Sequence, residues 1–61
     1  MINLKAIRIK KGFTQQEVAQ AIGTSEAHYN KIERGVHVPK FKFAHRLATL
    51  FKITLDQLYQ K

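Results

Sequence analysis

The chain has 61 residues and no cysteine, and its eleven Lys and Arg against four Asp and Glu leave a net charge of +7 at neutral pH. That length supports one small domain over residues 1–61, burying only about 60% of its unfolded surface, and the absence of thiols excludes disulfides and thiolate metal sites. No apolar run nears the roughly 20 residues of a membrane span, Met1-Ile2-Asn3-Leu4 does not open a signal peptide, and so dense a cationic surplus attracts polyanions, nucleic acid foremost.

Gly12, Gly23, Gly35 and Pro39 punctuate the chain into short periodic segments. Leu4, Ile7 and Lys11 trace a first helix, with Asn3 as N-cap and Gly12 past its end. Thr14-Gln15-Gln16-Glu17 is a capping box, and Phe13 with Val18 makes a hydrophobic staple across it. Val18, Ala19 and Ile22 then share one face of a second helix that Gly23 ends. Ser25 caps a third helix with Tyr29 and Ile32 inward and Gly35 as its stop. Val36–Lys40 is a loop, because Pro39 lacks an N–H and holds Val38 extended. The spacing Phe41, Ala44, Leu47, Ala48, Phe51 predicts a fourth amphipathic helix with these residues inward. Thr54 caps a fifth, with Leu55 and Leu58 inward. Strand-like alternation is absent, so the expected fold class is all-α, five helices of two to three turns.

Residues 14–34 meet the demands of a tight helix-turn-helix. Ala19 is small where a second helix crosses, Gly23 tolerates the positive φ of the bend, and Tyr29 and Ile32 anchor the second helix one turn apart. At about 100° per residue, the direction opposite those anchors carries Ala27, Lys31 and Arg34, flanked by Asn30, with Glu26 and His28 at the sides.

These residues resemble the Cro/phage-repressor (XRE-type) helix-turn-helix family, and the likeness covers nearly the whole chain. Leu4, Ile7 and Arg8 match its early Leu-x-x-Ile/Leu-Arg. Gly12-Phe13-Thr14-Gln15-Gln16-Glu17-Val18-Ala19 matches Gly-Leu-Thr-Gln-x-Glu-Leu-Ala. Gly23, Ser25 and Tyr29-Asn30-Lys31-Ile32-Glu33-Arg34-Gly35 continue the pattern, and Pro39, Leu47-Ala48, Phe51-Lys52-Ile53, Leu55 and Leu58 complete it. Tyr29 departs from the usual aliphatic and Lys52 from the frequent glycine, which implies a slightly altered core and a strained cap. The resemblance implies a compact lambda-repressor-like domain in a cytoplasmic, bacterial or phage-encoded regulator. Its implied partner is double-stranded DNA, bound sequence-specifically by a homodimer on a palindromic operator to control transcription, as a repressor in the simplest case. It also implies that Arg8 and Glu33 form an interhelix salt bridge.

Groove chemistry assigns roles to individual side chains. Lys31 can donate to guanine O6/N7, Asn30 can pair with adenine, Glu26 can accept from cytosine N4, and Ala27 offers an apolar contact to a thymine methyl. Thr14 and Gln15 open the second helix, whose free N–H groups suit a phosphate. His28 could add a phosphate bond, and Ser25 lies at the same helix start. Lys10, Lys11, Arg34, Lys40 and Lys42 are candidates for backbone contacts, which position without specifying. Glu17 reads as a cap and Tyr29 as core. Tyr59 and Ile53 are candidates for a dimer surface.

Other classes fit less well. No nucleophile–base–orienter set or Gly-rich phosphate loop is present, so neither an enzyme nor a cofactor or small-molecule ligand is expected. His28, His37 and His45 have no metal-ligand spacing. Phe41, Phe43 and Phe51 sit at core spacing rather than on an exposed platform for RNA bases. The alternative from another class is an antitoxin-like module that binds an acidic protein partner. Only Gln57–Lys61 could serve it as a partner-binding tail.

Overall fold

In the computed structural model, which describes residues 2–60, the chain folds as α1 (Leu4–Lys11), α2 (Gln15–Ile22), α3 (Glu26–Glu33), α4 (Phe41–Phe51) and α5 (Leu55–Leu58). Met1 and Lys61, the ends of the expected domain, lie outside the described residues. Four of the five helix starts follow from a capping side chain. Asn3 Oδ1 accepts from the Ala6 N–H at 3.0 Å, and Thr14 Oγ1 from the Glu17 N–H at 3.0 Å while Glu17 Oε1 takes the Thr14 N–H at 2.8 Å. Thr54 and Gln57 repeat the reciprocal box at 3.0 and 2.8 Å. Ser25 Oγ accepts from the His28 N–H at 3.1 Å, but with histidine in place of Glu or Gln the box stays open, and His28 Nδ1 turns to Thr24 Oγ1 at 2.7 Å. Lys40 precedes α4 without any side-chain cap.

The helices surround one core of Leu4, Val18, Ala19, Ile22, Tyr29, Ile32, Ala44, Leu47, Ala48, Phe51 and Leu58. α2 packs against α3 and α4, and α4 against α5 and α1. Phe13 packs against this core, its ring 6.3 Å from that of Phe51. Gly23 is required twice over. Its φ of +84° is left-handed, and a Cβ there would stand 2.8 Å from Arg46 Nη1. That guanidinium donates to the Ile22 carbonyl at 2.9 Å and so closes the C-terminal end of α2 at the bend.

Three expectations need correction. Phe41 faces out, 70% exposed, because it begins α4 beyond the reach of any covering helix; the inward face starts with Phe43 and Ala44. Ile53, expected to stand free of the core, is partly buried against it, whereas Tyr59 is exposed. The fifth helix is a single turn of four residues, ended by Tyr59 and Gln60 turning back on Leu55 and Gln57.

Lys52 holds φ 57° and ψ 46°, the left-handed conformation, as C-cap of α4. A β-carbon there costs about 1–2 kcal/mol, part of which a glycine returns through its freer unfolded chain. Lys52→Gly should therefore raise stability in urea or thermal denaturation by about 0.5–1 kcal/mol. A loss of stability would show that the lysine side chain holds the cap by contacts instead.

Candidate nucleic-acid interface

Gln15, the first residue of α2, and Glu26, Ala27, Asn30, Lys31 and Arg34 along α3 line one shallow open concavity. Six of the thirteen side chains singled out from sequence therefore converge on a single surface. The helix-turn-helix crossing causes this convergence. Tyr29 and Ile32 are fixed inward, and three-to-four-residue spacing then sends Ala27, Lys31 and Arg34 out the opposite side.

The other seven stand differently. Thr14 and Ser25 are exposed, but each spends its hydroxyl as a helix cap. Lys40 is exposed at the start of α4. His28 lies on the flank: its Nδ1 is paired with Thr24, and its ring packs edge-on to Phe43 at 5.5 Å and 6.0 Å from His37. Among the backbone candidates, Lys42 sets its ammonium 5.0 Å from the Phe43 ring centre, while Lys10 and Lys11 are exposed in the last turn of α1.

Behind the concavity runs a polar chain across three helices. Arg8 Nε and Nη2 donate to the two Glu33 oxygens at 2.9 and 3.1 Å, and Arg8 Nη1 donates to the Phe13 carbonyl at 2.9 Å. Gln15 Nε2 donates to Glu33 Oε1 at 3.3 Å, and Asn30 Nδ2 donates to Gln15 Oε1 at 3.3 Å. The pair is sheltered, with side-chain exposures of 12% for Arg8 and 3% for Glu33, so water screens it little. Burial alone would push the Glu33 carboxyl up, but the hydrogen bond from Arg8, with Tyr29 and Gln15 close by, outweighs it and holds the group below the usual carboxylate range. Its hydrogen bond to Glu33 in turn raises the Arg8 guanidinium. The Tyr29 hydroxyl is buried without a hydrogen-bond partner, and that burial holds it well above an ordinary phenol.

Sequence reasoning found the Arg8–Glu33 pair but missed three elements of this layer. Gln15 lies 18 residues from Glu33 and 15 from Asn30, so no local spacing links them. The Arg46 cap at Ile22 spans 24 residues and is equally silent. The Thr24–His28 contact, by contrast, is an i, i+4 pair at a helix start and could have been read.

The linkage between Glu33 and stability has a definite sign. A carboxyl held low in the folded state contributes stability above its ordinary pKa of about 4.3, and that contribution is lost as pH falls through the lowered value. In urea denaturation, wild type should exceed Glu33→Gln by roughly 1.5–3 kcal/mol above about pH 5, with the difference shrinking toward pH 3. A difference that stays flat or grows on acidification would contradict the ion-pair account.

Comparison with known proteins agrees with this geometry. A helix-turn-helix family model matches residues 4–58. Three Bacillus subtilis proteins are similar. The HTH-type transcriptional regulator SlrR is 30% identical over 57 residues, which are 92% of this chain and 38% of SlrR. The uncharacterized HTH-type regulator YqaF is 50% identical over 36 residues, 59% of this chain and 47% of YqaF. YazB, described likewise, is 34% identical over 55 residues, 90% of this chain and 80% of its own. The chain thus spans less than half the length of SlrR and YqaF. Among solved structures, the SOS-response repressor LexA of Eubacterium rectale superposes with a TM-score of 0.88 at 30% identity, covering 97% of this chain and 63% of that one. The N-terminal DNA-binding domain of Bacillus subtilis SinR shares the fold at a TM-score of 0.83 and 22% identity, covering 95% and 86%. A match that runs from α1 to α5, through the Gly23 bend, makes this chain a member of the XRE-type helix-turn-helix family of transcriptional regulators.

Proposed function

We propose that this chain binds duplex DNA sequence-specifically with the outer face of α3 in the major groove, and that it regulates transcription as a homodimer on a palindromic operator, as a repressor in the simplest case. One observation carries the reading: Gln15, Glu26, Ala27, Asn30, Lys31 and Arg34 form one continuous surface on a helix-turn-helix. The side chains differ in chemistry as base readers must. Lys31 donates to guanine, Asn30 pairs with adenine, Glu26 accepts from cytosine and Ala27 meets the thymine methyl. Arg34, Lys40, Lys42, Lys10 and Lys11, with Thr14 and Ser25 at the helix starts, neutralise or bond phosphates and fix register. His28 can join them only through Nε2, since Nδ1 is already paired with Thr24.

A second copy follows from the size of the site. One eight-residue helix reads only a few base pairs, and two copies on half-sites about 34 Å apart multiply that limited selectivity. Such a regulator works where the DNA is, in the cytoplasm of a bacterium. No helix among the described residues is long and apolar enough to cross a membrane. An acidic protein partner, the alternative raised from sequence, has no observation that favours it over DNA.

The test is equilibrium binding to duplexes selected from a random pool, read by gel shift across a salt series. With four phosphates neutralised per subunit, the logarithmic salt slope should be about −7 for the dimer, and the selected sequences should carry inverted half-sites. Lys31→Glu with Arg34→Glu should abolish specific binding while the thermal melt is retained, because both side chains are exposed. A slope near zero, or unchanged binding by the reversed variant, would overturn the reading.

A further inference from the structure

We propose that Glu33 is a positioning residue for base recognition: acting through Gln15, it dictates which end of the Asn30 amide faces DNA. The proposal rests on the DNA-binding reading above and adds to it a device for specificity. Glu33 itself is too sheltered to touch DNA, with only 3% of its side chain exposed. Its influence can pass only through the hydrogen bonds it makes.

The direction of those bonds is set by chemistry. An ionised carboxylate only accepts, so the end of Gln15 that meets Glu33 Oε1 must be its NH2 group, and Nε2 lies there at 3.3 Å. The Gln15 oxygen is thereby turned the other way. An oxygen can only accept, so Asn30 must present its own NH2 group, and Nδ2 lies 3.3 Å from Gln15 Oε1. That leaves Oδ1 and one N–H of Asn30 outside this chain of bonds, on a residue that lines the concavity with Ala27 and Lys31. An acceptor beside a single donor is the pattern that matches adenine N6 and N7. With the chain reversed, Asn30 would tie up its oxygen and offer two N–H groups, which suit guanine O6/N7 or thymine O4 instead. Arg8 keeps the carboxylate ionised and in place through its two bonds at 2.9 and 3.1 Å, so the negative charge gives the relay its polarity. A neutral amide at position 33 could accept or donate, and the polarity would be lost.

Selection of duplexes from a random pool tests this with wild type, Glu33→Gln, Asn30→Ala and the double variant, each first checked by thermal melt. Wild type should enrich adenine at the step that loses its preference in Asn30→Ala. Glu33→Gln should lower that preference at least about fivefold while leaving the other positions of the motif intact. In the Asn30→Ala background it should change nothing further. Should Glu33→Gln fail to fold, Arg8→Met with Glu33→Gln removes both charges and should relax the same position. A uniform change in affinity with the motif preserved would reduce Glu33 to a structural role and overturn the proposal, as would an equal effect in the Asn30→Ala background. Failure of wild type to enrich any motif would instead overturn the DNA-binding reading on which the relay depends.

Discussion

The bidentate pair between Arg8 and Glu33 joins the first helix to the last turn of the third, and the candidate interface is built outward from it. Each eight-residue helix is too short to persist alone, so α3 holds its place only through what lies behind it. Tyr29 and Ile32 supply the apolar part of that support, and the sheltered ion pair supplies the directional part. Apolar packing permits small rotations, whereas two parallel N–H···O bonds fix an orientation. Arg8 extends the same constraint to the Phe13 carbonyl, and Gln15 carries it from Glu33 into α2. Three helices thus share one set of hydrogen bonds, and the open surface of α3 inherits its geometry from them.

Charge divides the molecule into two regimes. The surplus that gives +7 sits on exposed lysines and arginines, where it acts at range and steers association. Glu33 is instead sequestered behind the surface, so it binds its cation without opposing phosphates. The other carboxylates near helix starts, Glu17, Glu26 and Asp56, each occupy the first turn of a helix, where negative charge complements the helix dipole. Only Glu26 shares the candidate surface, which gives it a distinct chemical role among otherwise basic and neutral neighbours.

Local signals in this sequence were strong because short helices depend on their ends. Asn3, Thr14, Ser25 and Thr54 announced four of the five starts, and the left-handed cap at Lys52 followed from the place where glycine is usual. Phe41 misled because helical periodicity says which residues share a face but not whether another helix covers that face at its first turn. The same limit hid Ile53, whose packing depends on how the chain turns after α4. Within the site, helical spacing from Tyr29 and Ile32 predicted the outer face of α3. The Gln15 link and the Arg46 cap required knowledge of which distant segments meet, which periodicity does not contain. His28 shows a subtler limit: the wheel placed it at the side, where it stands, but did not give the Thr24 and Phe43 partners that hold its ring there.

The central claim is that the held face of α3, with the start of α2, is the part of this molecule that meets DNA bases. Nuclear magnetic resonance of the labelled protein titrated with a selected duplex addresses it directly, residue by residue. The account predicts the largest changes at Gln15, Ala27, Asn30, Lys31 and Arg34, with the side-chain amides of Gln15 and Asn30 moving together. Changes centred on α1 or on the outer side of α4, with α3 undisturbed, would contradict it.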